Sequence, residues 1–330
     1  MKKFESTYKD IITVENLLRA WEEFLRGKKK RTDVLFFQNR LMDNVYELHR
    51  DLADRKYMHG AYHAFNIADP KPRSIHKAMV RDRLLHHLLY QELYSYFDKQ
   101  FVFDSYSCRV QKGTHKAMNR FRAFARKVSR NNTQTCWVLK CDIRKFFANI
   151  DHDILKKTLA KYISDADILW LLGQVIDSFH AERNGVGLPL GNLTSQLLVN
   201  IYMNEFDMFA KRALGLKYYV RYADDFVILH HDKNYLTALI VEMGKFLSNE
   251  LRLQLHPKKV FIKTFASGVD FLGWVHFSHH RVPRTTTKQR MLKRVADCPT
   301  DETIASYAGL LRHGDAGLLL RRIKKISKGL

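Results

Sequence analysis

Two adjacent aspartates between apolar runs constrain this chain more than any other feature. Asp224 and Asp225 lie within KYYVRYADDFVILHH, where the runs at 217–222 and 226–230 are rich in Tyr, Val, Ile, Leu and Phe. Two such runs with a very short interruption predict a β-hairpin. Carboxylates at its tip repel each other, and a divalent cation with oxygen ligands relieves that repulsion. The alternative is a solvated Asp-Asp turn, which the flanking apolar residues disfavour.

The charge balance indicates a polyanionic partner. The 330 residues include 56 Lys and Arg against 34 Asp and Glu, a formal net charge of +22, and 46% are hydrophobic, ample for a folded protein. Because each phosphate contact releases counterions, nucleic acid is the favoured partner. A membrane surface is the rival, but no apolar run is long enough to span a bilayer and the N-terminal residues lack a signal-peptide core. We therefore expect no membrane partner.

The cysteines give no sign of a metal or disulfide framework. Cys108, Cys136, Cys141 and Cys298 have no CxxC spacing. A reducing compartment fits this usage, so we expect a cytoplasmic protein.

Outside the hairpin the chain is mostly helical, with a strand that ends on a third acid. Apolar spacing predicts helices within 1–60, 79–97, 116–130, 151–163, 192–214 and 235–251, and a mostly helical basic tail from 279. Residues 135–143 (TCWVLKCDI) are strand-like and carry Asp142 near their end, and 269–277 predicts a second hairpin. This order predicts an α+β fold, a sheet with helices packed on one face.

Three basic segments stand out, and two of them, the run at 28–31 and the C-terminal tail, permit two interpretations each. The run at 28–31 is either a solvated loop or a nucleic-acid contact. Pro70 and Pro72 favour extended backbone, so Lys71 and Arg73 are expected to project from a strand or loop. The cations of the tail either form a solvated helical face or follow the phosphates of a duplex.

Three carboxylates meet if the strand of Asp142 pairs beside the hairpin. Such a cluster can hold two metal ions about 3.5–4 Å apart. One ion would lower the pKa of an attacking 3′-hydroxyl, and the other would neutralise the charge on the leaving phosphate. The predicted chemistry is phosphoryl transfer, catalysed by positioning and charge stabilisation.

In this order and spacing, the motifs resemble those of a reverse transcriptase. Tyr222-Ala223-Asp224-Asp225 matches the palm hairpin of that family and Asp142 its other palm acid. Further matches are 71–73 and 105–115 in the fingers, 191–196 beneath the nascent base pair, 253–259 after the hairpin and 271–274 at the primer grip. The resemblance implies a right-hand polymerase with an N-terminal helical extension (1–65), fingers (66–134), a palm built on an antiparallel sheet with helices on one face (135–276, with fingers-side helices at about 151–185) and a helical thumb (277–330).

The resemblance also implies a role for each matching residue. The metal ligands and catalytic acids are Asp142, Asp224 and Asp225, with the backbone carbonyl of Ile143 as a further ligand, for two Mg²⁺ ions that Mn²⁺ could replace. Nucleotide contacts fall on Lys71, Arg73, Phe147, Leu190, Gly191, Gln196 and Lys259, and the primer grip on Phe271, Leu272, Gly273 and Trp274. Other nucleic-acid contacts fall on Arg109, Lys112, Arg120, Lys288 and Arg294.

Several of these implied roles have a physical reason. The Phe147 ring would clash with a ribose 2′-hydroxyl and so favour deoxynucleotides, unless it only packs in the core. Arg73 would present a planar guanidinium to triphosphate oxygens. Lys259, or its neighbour Lys258, would contact or protonate the pyrophosphate, and Gly191 would allow close backbone approach to the substrate.

Two departures from the family pattern indicate which type of reverse transcriptase the chain resembles. Leu190-Gly191 stands where many bacterial relatives have Gln-Gly, and Ser195-Gln196 stands where they have Ser-Pro. This form resembles reverse transcriptases of diversity-generating retroelements, and also some defence-associated bacterial groups, so we expect a bacterial or phage-encoded protein. An apolar Leu190 beside the nascent base pair predicts relaxed base selection.

The implied substrates are an RNA template, a DNA or RNA primer and deoxynucleotides. A structured non-coding RNA and a small basic accessory protein are candidate partners, since no ribonuclease H module, maturase extension or zinc-bearing endonuclease is recognisable after the thumb. Two other classes stay open. Phe147 argues against an RNA-dependent RNA polymerase, and the presence of all three acids argues against a catalytically idle RNA-binding scaffold.

Overall fold

The computed structural model describes residues 2–68 and 72–327. The helices are α1 (Tyr8–Ile11), α2 (Val14–Leu25), α3 (Thr32–Gln38), α4 (Leu41–Ala53), α5 (Val80–Gln100), α6 (Thr114–Val128), α7 (His152–Tyr162), α8 (Ala166–Asp177), α9 (Leu193–Met208), α10 (Lys233–Leu251), α11 (Thr285–Asp297), α12 (Asp301–Leu311) and α13 (Gly317–Ser327). The strands are β1 (His63–Ile67), β2 (Arg73–Lys77), β3 (Trp137–Asp142), β4 (Tyr219–Tyr222), β5 (Asp225–His230), β6 (Phe261–Thr264), β7 (Val269–Phe271), β8 (Trp274–His276) and β9 (Arg281–Pro283).

Two compact units form from segments that are not consecutive in the chain. The first unit comprises residues up to 103, 143–214 and 244–254, and the second comprises 104–142, 215–243 and the chain from 255. The first unit holds α1–α5, α7–α9 and the β1–β2 hairpin, whereas the second holds α6, β3–β9 and α11–α13; α10 contributes to both. The division into extension, fingers, palm and thumb stays a prediction.

The second unit is built on an antiparallel sheet of four strands in the order β4-β5-β3-β6. The β4–β5 pair is the hairpin that the sequence predicts, and Tyr222 lies opposite Asp225 at its closed end. The β3 strand pairs with β5, placing Trp137 opposite His230 and Asp142 opposite Asp225. The α+β fold is thus confirmed, and the register brings the third acid beside the acid pair.

Helix α6 covers the face of the sheet on which Val138, Val220 and Val227 lie. Its buried side chains recur at helical spacing and form one core with the sheet and the β7–β8 hairpin: Ala117, Phe121, Phe124, Ala125 and Val128. At the centre, the Phe121 ring makes edge contacts with Phe265 at 5.5 Å and with Phe271 at 5.2 Å between ring centroids. The strongly basic helix predicted at 116–130 is therefore amphipathic, with its apolar side in this core.

The sequence pattern missed three strands and one helix irregularity. Strand β1 is identified by its pairing with β2, and the short strands β6 and β9 are identified by their pairing with β3 and β8. After α9 the chain continues as a π-helix, Phe209–Ala213, in which the Phe209 ring stacks on Phe246 at 4.1 Å.

In the first unit, α5 is anchored by a buried carboxylate. Asp82 is 1% exposed and accepts hydrogen bonds from the Tyr57 hydroxyl at 2.8 Å and from the Gly60 amide at 3.1 Å. Burial raises the pKa of Tyr57 far above its ordinary value, and Asp82 adds to that rise. The Tyr57 proton therefore stays in place and satisfies the buried acid, as a buried charge requires.

The three C-terminal helices have a small core of their own. Met291, Val295, Leu311, Ala316 and Ile323 are buried together between α11, α12 and α13. No helix within 2–68 and 72–327 combines the length and apolar character needed to cross a bilayer.

Replacing Phe121 with Ala should remove the centre of the core beneath the sheet. We expect Phe121→Ala to lower the free energy of unfolding by about 3–5 kcal/mol, the range for large aromatic truncations in cores. Urea unfolding followed by tryptophan fluorescence measures this. The matched control is Phe36→Ala, whose ring is 81% exposed and whose loss should change the stability by about 0.5 kcal/mol or less. Equal losses for both variants would contradict the packing described.

Candidate active site

The predicted catalytic acids converge in the second unit. Asp142 ends β3 and Asp225 begins β5, and the two are direct partners in the antiparallel register, which sets their Cα atoms about 4.5–5.5 Å apart. Asp224 precedes Asp225 in the turn, after Ala223, which has a left-handed φ of 55°. Asp142 and the adjacent pair Asp224 and Asp225, more than eighty residues later in the chain, thus lie at the same end of the sheet.

Two lysines balance the charge of this cluster. The Lys259 ammonium lies 3.0 Å from Oδ1 and 3.2 Å from Oδ2 of Asp142. The Lys140 ammonium lies 3.1 Å from Oδ1 of Asp225. Burial raises the pKa of Asp225 to about 7, while Lys140 opposes this rise and Asp224 and Asp142 add to it. The ionised form of Asp225 is therefore costly without a neighbouring cation.

The donor chemistry fits a divalent ion. Within the described part of the chain, no three His, Cys, Asp or Glu side chains are gathered in metal-binding geometry. The two ammonium groups instead stand where positive charge is needed. Three carboxylates are the hard oxygen donors that Mg²⁺ and Mn²⁺ accept, so Asp142, Asp224 and Asp225 would hold the ions once Lys259 turns away from Asp142. The Ile143 carbonyl stays a predicted ligand; the residue is buried directly after β3.

Arg221 holds the turn that carries the acids, and the sequence motifs did not reveal it. Its side chain is completely buried. One guanidinium nitrogen donates to the Ala223 carbonyl at 3.0 Å, and another donates to the Ser105 hydroxyl at 3.0 Å. The sequence signal is an arginine inside an apolar strand, since a buried charge there needs hydrogen-bond partners.

A short segment joins this arrangement at the outer edge of β4. The Arg221 amide donates to the Asp104 carbonyl and the Tyr106 amide donates to the Arg221 carbonyl, both at 2.9 Å. The same segment leads to Arg109, whose guanidinium donates to the Ser105 carbonyl at 3.0 Å. The acid turn is therefore tied to the segment 105–115, which the sequence matches to the fingers and in which Arg109 and Lys112 are predicted nucleic-acid contacts.

In the first unit, one loop connects several predicted nucleotide contacts. The Leu188 amide donates to the Phe147 carbonyl at 2.8 Å, and the His76 amide of β2 donates to the Leu190 carbonyl at 3.0 Å. Gly191 has a φ of 103°, and a Cβ there would lie 2.8 Å from the Ile75 side chain. Close packing against β2 thus requires this glycine, in addition to the substrate approach expected from the sequence.

A groove of about 370 Å³ adjoins the loop, here called the Gly191 groove. Gly191 and Gln196 line it together with Lys28, Arg31, Lys77 and Arg83. Asp33 pairs with Lys77 and Arg83. Burial lowers the pKa of Lys28, and Arg83 and Arg31 lower it further. Two cations of the basic run at 28–31 thus line a crowded cationic groove, which favours nucleic-acid contact over a solvated loop.

The flanking nucleotide contacts are only partly described. Arg73 is exposed at the start of β2, opposite Ile67. Lys71 lies outside the described residues. Phe147 is half-buried in a 3-10 helix, Phe146–Asn149, with its ring in edge contact with Phe146. The nucleotide-binding roles of these residues stay predictions.

The predicted primer grip is a tight hairpin turn. Leu272 and Gly273 have φ values of 53° and 85°, as a two-residue turn of type I′ requires. Phe271 and Trp274 on either side are buried, and Phe271 belongs to the core under α6. The part of the motif available to a primer is therefore the turn itself.

The other predicted nucleic-acid contacts differ in how freely they face solvent. Arg120 is bonded to Asp104 at 2.8 Å and stacks on Phe124. Lys112 lies over the Tyr106 ring at 5.0 Å. Lys288 and Arg294 lie on α11, where Arg294 is exposed. Arg120 thus has a structural role in addition to the one predicted.

Comparison with known proteins decides the family. The family model described as reverse transcriptase (RNA-dependent DNA polymerase) matches residues 68–276. The chain belongs to the reverse transcriptase family. This confirms the resemblance drawn from the motifs and the enzyme class, RNA-directed DNA polymerase.

Individual relatives agree with this assignment. Protein YkfC of Escherichia coli is 26% identical over 272 residues, which cover 70% of this chain and 69% of that protein. The group II intron-encoded protein LtrA of Lactococcus lactis is 22% identical over 260 residues, 58% of this chain but only 42% of LtrA. An apo telomerase structure from Candida tropicalis shares the fold, with a TM-score of 0.52 at 11% identity, covering 69% of this chain and 55% of that one. These relatives do not separate the diversity-generating type from the defence-associated type.

Replacing Arg221 should misplace the acid turn. We expect Arg221→Met, similar in length but without donors, to lower kcat for nucleotide addition about ten- to hundredfold, because the Ala223 carbonyl loses its partner (each factor of ten is about 1.4 kcal/mol). Single-turnover primer extension measures kcat, and Kd for the template–primer should change little. Ser105→Ala, which removes the remote partner only, should have a smaller effect. A variant with normal kcat and only a lower Tm would contradict the positioning role.

Proposed function

We propose that this reverse transcriptase copies RNA into DNA by metal-assisted nucleotidyl transfer at Asp142, Asp224 and Asp225. The main support for this proposal is the strand register, which places Asp142 opposite Asp225, next to Asp224 in the chain. When bound, two divalent ions supply activation of the primer 3′-hydroxyl and neutralisation of the leaving pyrophosphate. The polypeptide supplies position: the β3–β5 pair fixes the strand ends, and Arg221 fixes the turn.

Lys259 is the candidate for contact with the leaving group. Its ammonium already reaches Asp142, whereas the backbone amide of Lys258 is bonded to His256 and its side chain is exposed. When Lys259 turns from Asp142, its ammonium stays within a side-chain length of the cluster. It can then hold a phosphate oxygen, or give a proton to the pyrophosphate.

The lining of the Gly191 groove supports the proposal that the first unit binds an RNA template strand. Lys28, Arg31, Lys77 and Arg83 supply cations for phosphates, and Phe65, which is 41% exposed, supplies a ring face. Cations beside an exposed ring are typical of single-stranded nucleic-acid sites.

Phe147 supports deoxynucleotide selection and thereby a DNA rather than an RNA product. We expect Phe147→Val to lower the preference for deoxynucleotides over ribonucleotides about ten- to hundredfold, because the smaller side chain leaves room for the 2′-hydroxyl. The ratio of kcat/KM values for the two nucleotides measures this. Phe36→Val, on an exposed ring, is the control. An unchanged ratio would assign Phe147 to core packing alone.

Removing the charge of the acid pair separates catalysis from RNA binding. The double variant Asp224→Asn with Asp225→Asn should abolish nucleotide incorporation, by about 10³-fold or more, since the electrostatic groups at the reacting centre are gone. Its affinity for template–primer RNA should stay within a few-fold of the wild type. Mg²⁺ should raise the Tm of the wild type and not of the variant. Retained incorporation by the double variant would refute the assignment of these acids to catalysis, whereas a wild type without incorporation would leave the idle scaffold as the better description.

The biological setting that we propose is diversity generation by a retroelement, with antiphage defence as the alternative. The Leu190-Gly191 and Ser195-Gln196 forms resemble both of these groups, and they support the two settings over others within the family. A structured non-coding RNA is the expected partner, and a small basic accessory protein is a second. A template repeat and a variable repeat beside the gene support the first setting, whereas a defence island with an adjacent non-coding RNA supports the second.

A further inference from the structure

A second basic groove lies in the second unit, at the end of the sheet away from the carboxylates. It measures about 400 Å³ and is here called the His230 groove. Its lining comprises Lys127, Val128, Arg130, Gln134, Gly215, Leu216, Lys217, Tyr218, Ile228, Leu229, His230, His231 and Tyr235. As described, this lining has three permanent cations and two histidines but no Asp or Glu. Like charges gathered without a carboxylate favour an anionic ligand.

Aromatic rings lie beside these cations. The His230 ring centroid is 4.2 Å from that of His231 and 4.4 Å from that of Tyr235. His231 and Tyr235 are exposed, so their outer faces are available for stacking. A phosphate alone needs no rings, whereas a single-stranded nucleic acid uses both rings and cations. The chemistry therefore favours single-stranded nucleic acid over a free anion or an acidic peptide.

The groove is separate from the catalytic cluster. Asp225 and His230 are the two ends of β5, about 17 Å apart at the rise of an extended strand. A nucleotide in the His230 groove is therefore not the one that reacts.

Helix α6 extends the cationic surface from the groove. Lys116, Arg126, Lys127 and Arg130 are exposed, on or just after α6 and away from its buried side. From Lys116 to Arg130 the helical rise spans about 21 Å. This cationic row begins next to the segment of Arg109 and Lys112 and ends in the groove, so one strand could follow it.

We propose that the His230 groove binds single-stranded RNA outside the template–primer duplex. Phosphates contact Lys127, Arg130 and Lys217, and bases stack on His231 and Tyr235. The inference rests on the proposed function, in which RNA is the substrate, and it adds a second RNA site remote from the chemistry. Such a site would retain a partner or template RNA while its 3′ region is copied.

The test uses the full chain and a 20-nucleotide oligouridine carrying 4-thiouridine. Lys127→Glu with Arg130→Glu should weaken binding several-fold and reduce the slope of log K against log salt by about 1.4, since two phosphate contacts to a single strand are lost at about 0.7 each. Tyr235→Ala should weaken binding without changing the slope. The matched control is Lys9→Glu with Lys157→Glu, an equal charge change at exposed sites, which should affect binding little. Cross-links should map to residues 217–235.

Extension of a minimal template–primer duplex separates this inference from the proposed function. The Lys127→Glu with Arg130→Glu variant should extend that duplex at the wild-type rate. A wild-type protein that fails to extend it would refute the proposed function. Equal oligouridine binding by the variant and the control, or no cross-link within 217–235, would overturn the groove as an RNA site. Displacement of oligouridine by polyglutamate at equal charge concentration would also overturn it, in favour of an acidic protein partner.

Discussion

Mutual repulsion among three carboxylates is the constraint on which the rest of the second unit depends. The pairing of β3 with β5 brings Asp142 against Asp225. Lys140 lies within the sheet and Lys259 follows α10 in the chain, and the ammonium of each reaches one acid. Because burial already raises the pKa of Asp225 to about 7, this cluster is poised to exchange ammonium groups for harder cations. The repulsion among the carboxylates without metal ions and their capacity to bind such ions have the same origin, the closeness of three negative charges.

The second unit fixes the acids by more than the sheet itself. Arg221 crosses from the acid turn to Ser105, and a buried guanidinium tolerates few other positions because each donor needs a partner. In the first unit, the loop at Gly191 has the corresponding role, since its backbone joins β2 to the 3-10 helix of Phe147. Each unit therefore presents its candidate substrate contacts from a hydrogen-bonded scaffold rather than from an independent loop.

The sequence predicted the elements that have strong local patterns. The acid hairpin and the strand ending at Asp142 are as expected, because the pattern of a strand is local. Strands β6 and β9 were missed because they have only four and three residues, too few to show the alternating pattern of a strand. Their identity depends on pairing with partners that are distant in the chain. Arg221 and Lys140 were not assigned roles for a related reason. A charge within an apolar strand indicates that a partner exists, but only the folded chain shows that the partners are the Ala223 carbonyl and Asp225. The motifs themselves were informative because the family resemblance supplied roles that spacing alone does not.

The edges of the four-stranded sheet have a consequence for the behaviour of the protein in concentrated solution. The edge strands β4 and β6 have four residues each, and the outer side of β4 is bonded to the segment at 104–106. On β6, Lys263 is exposed, and a lysine on an edge strand opposes pairing with another chain. The native sheet thus offers little open backbone for intermolecular strand addition. Aggregation of this protein should start from unfolded molecules, and its onset should follow the unfolding transition.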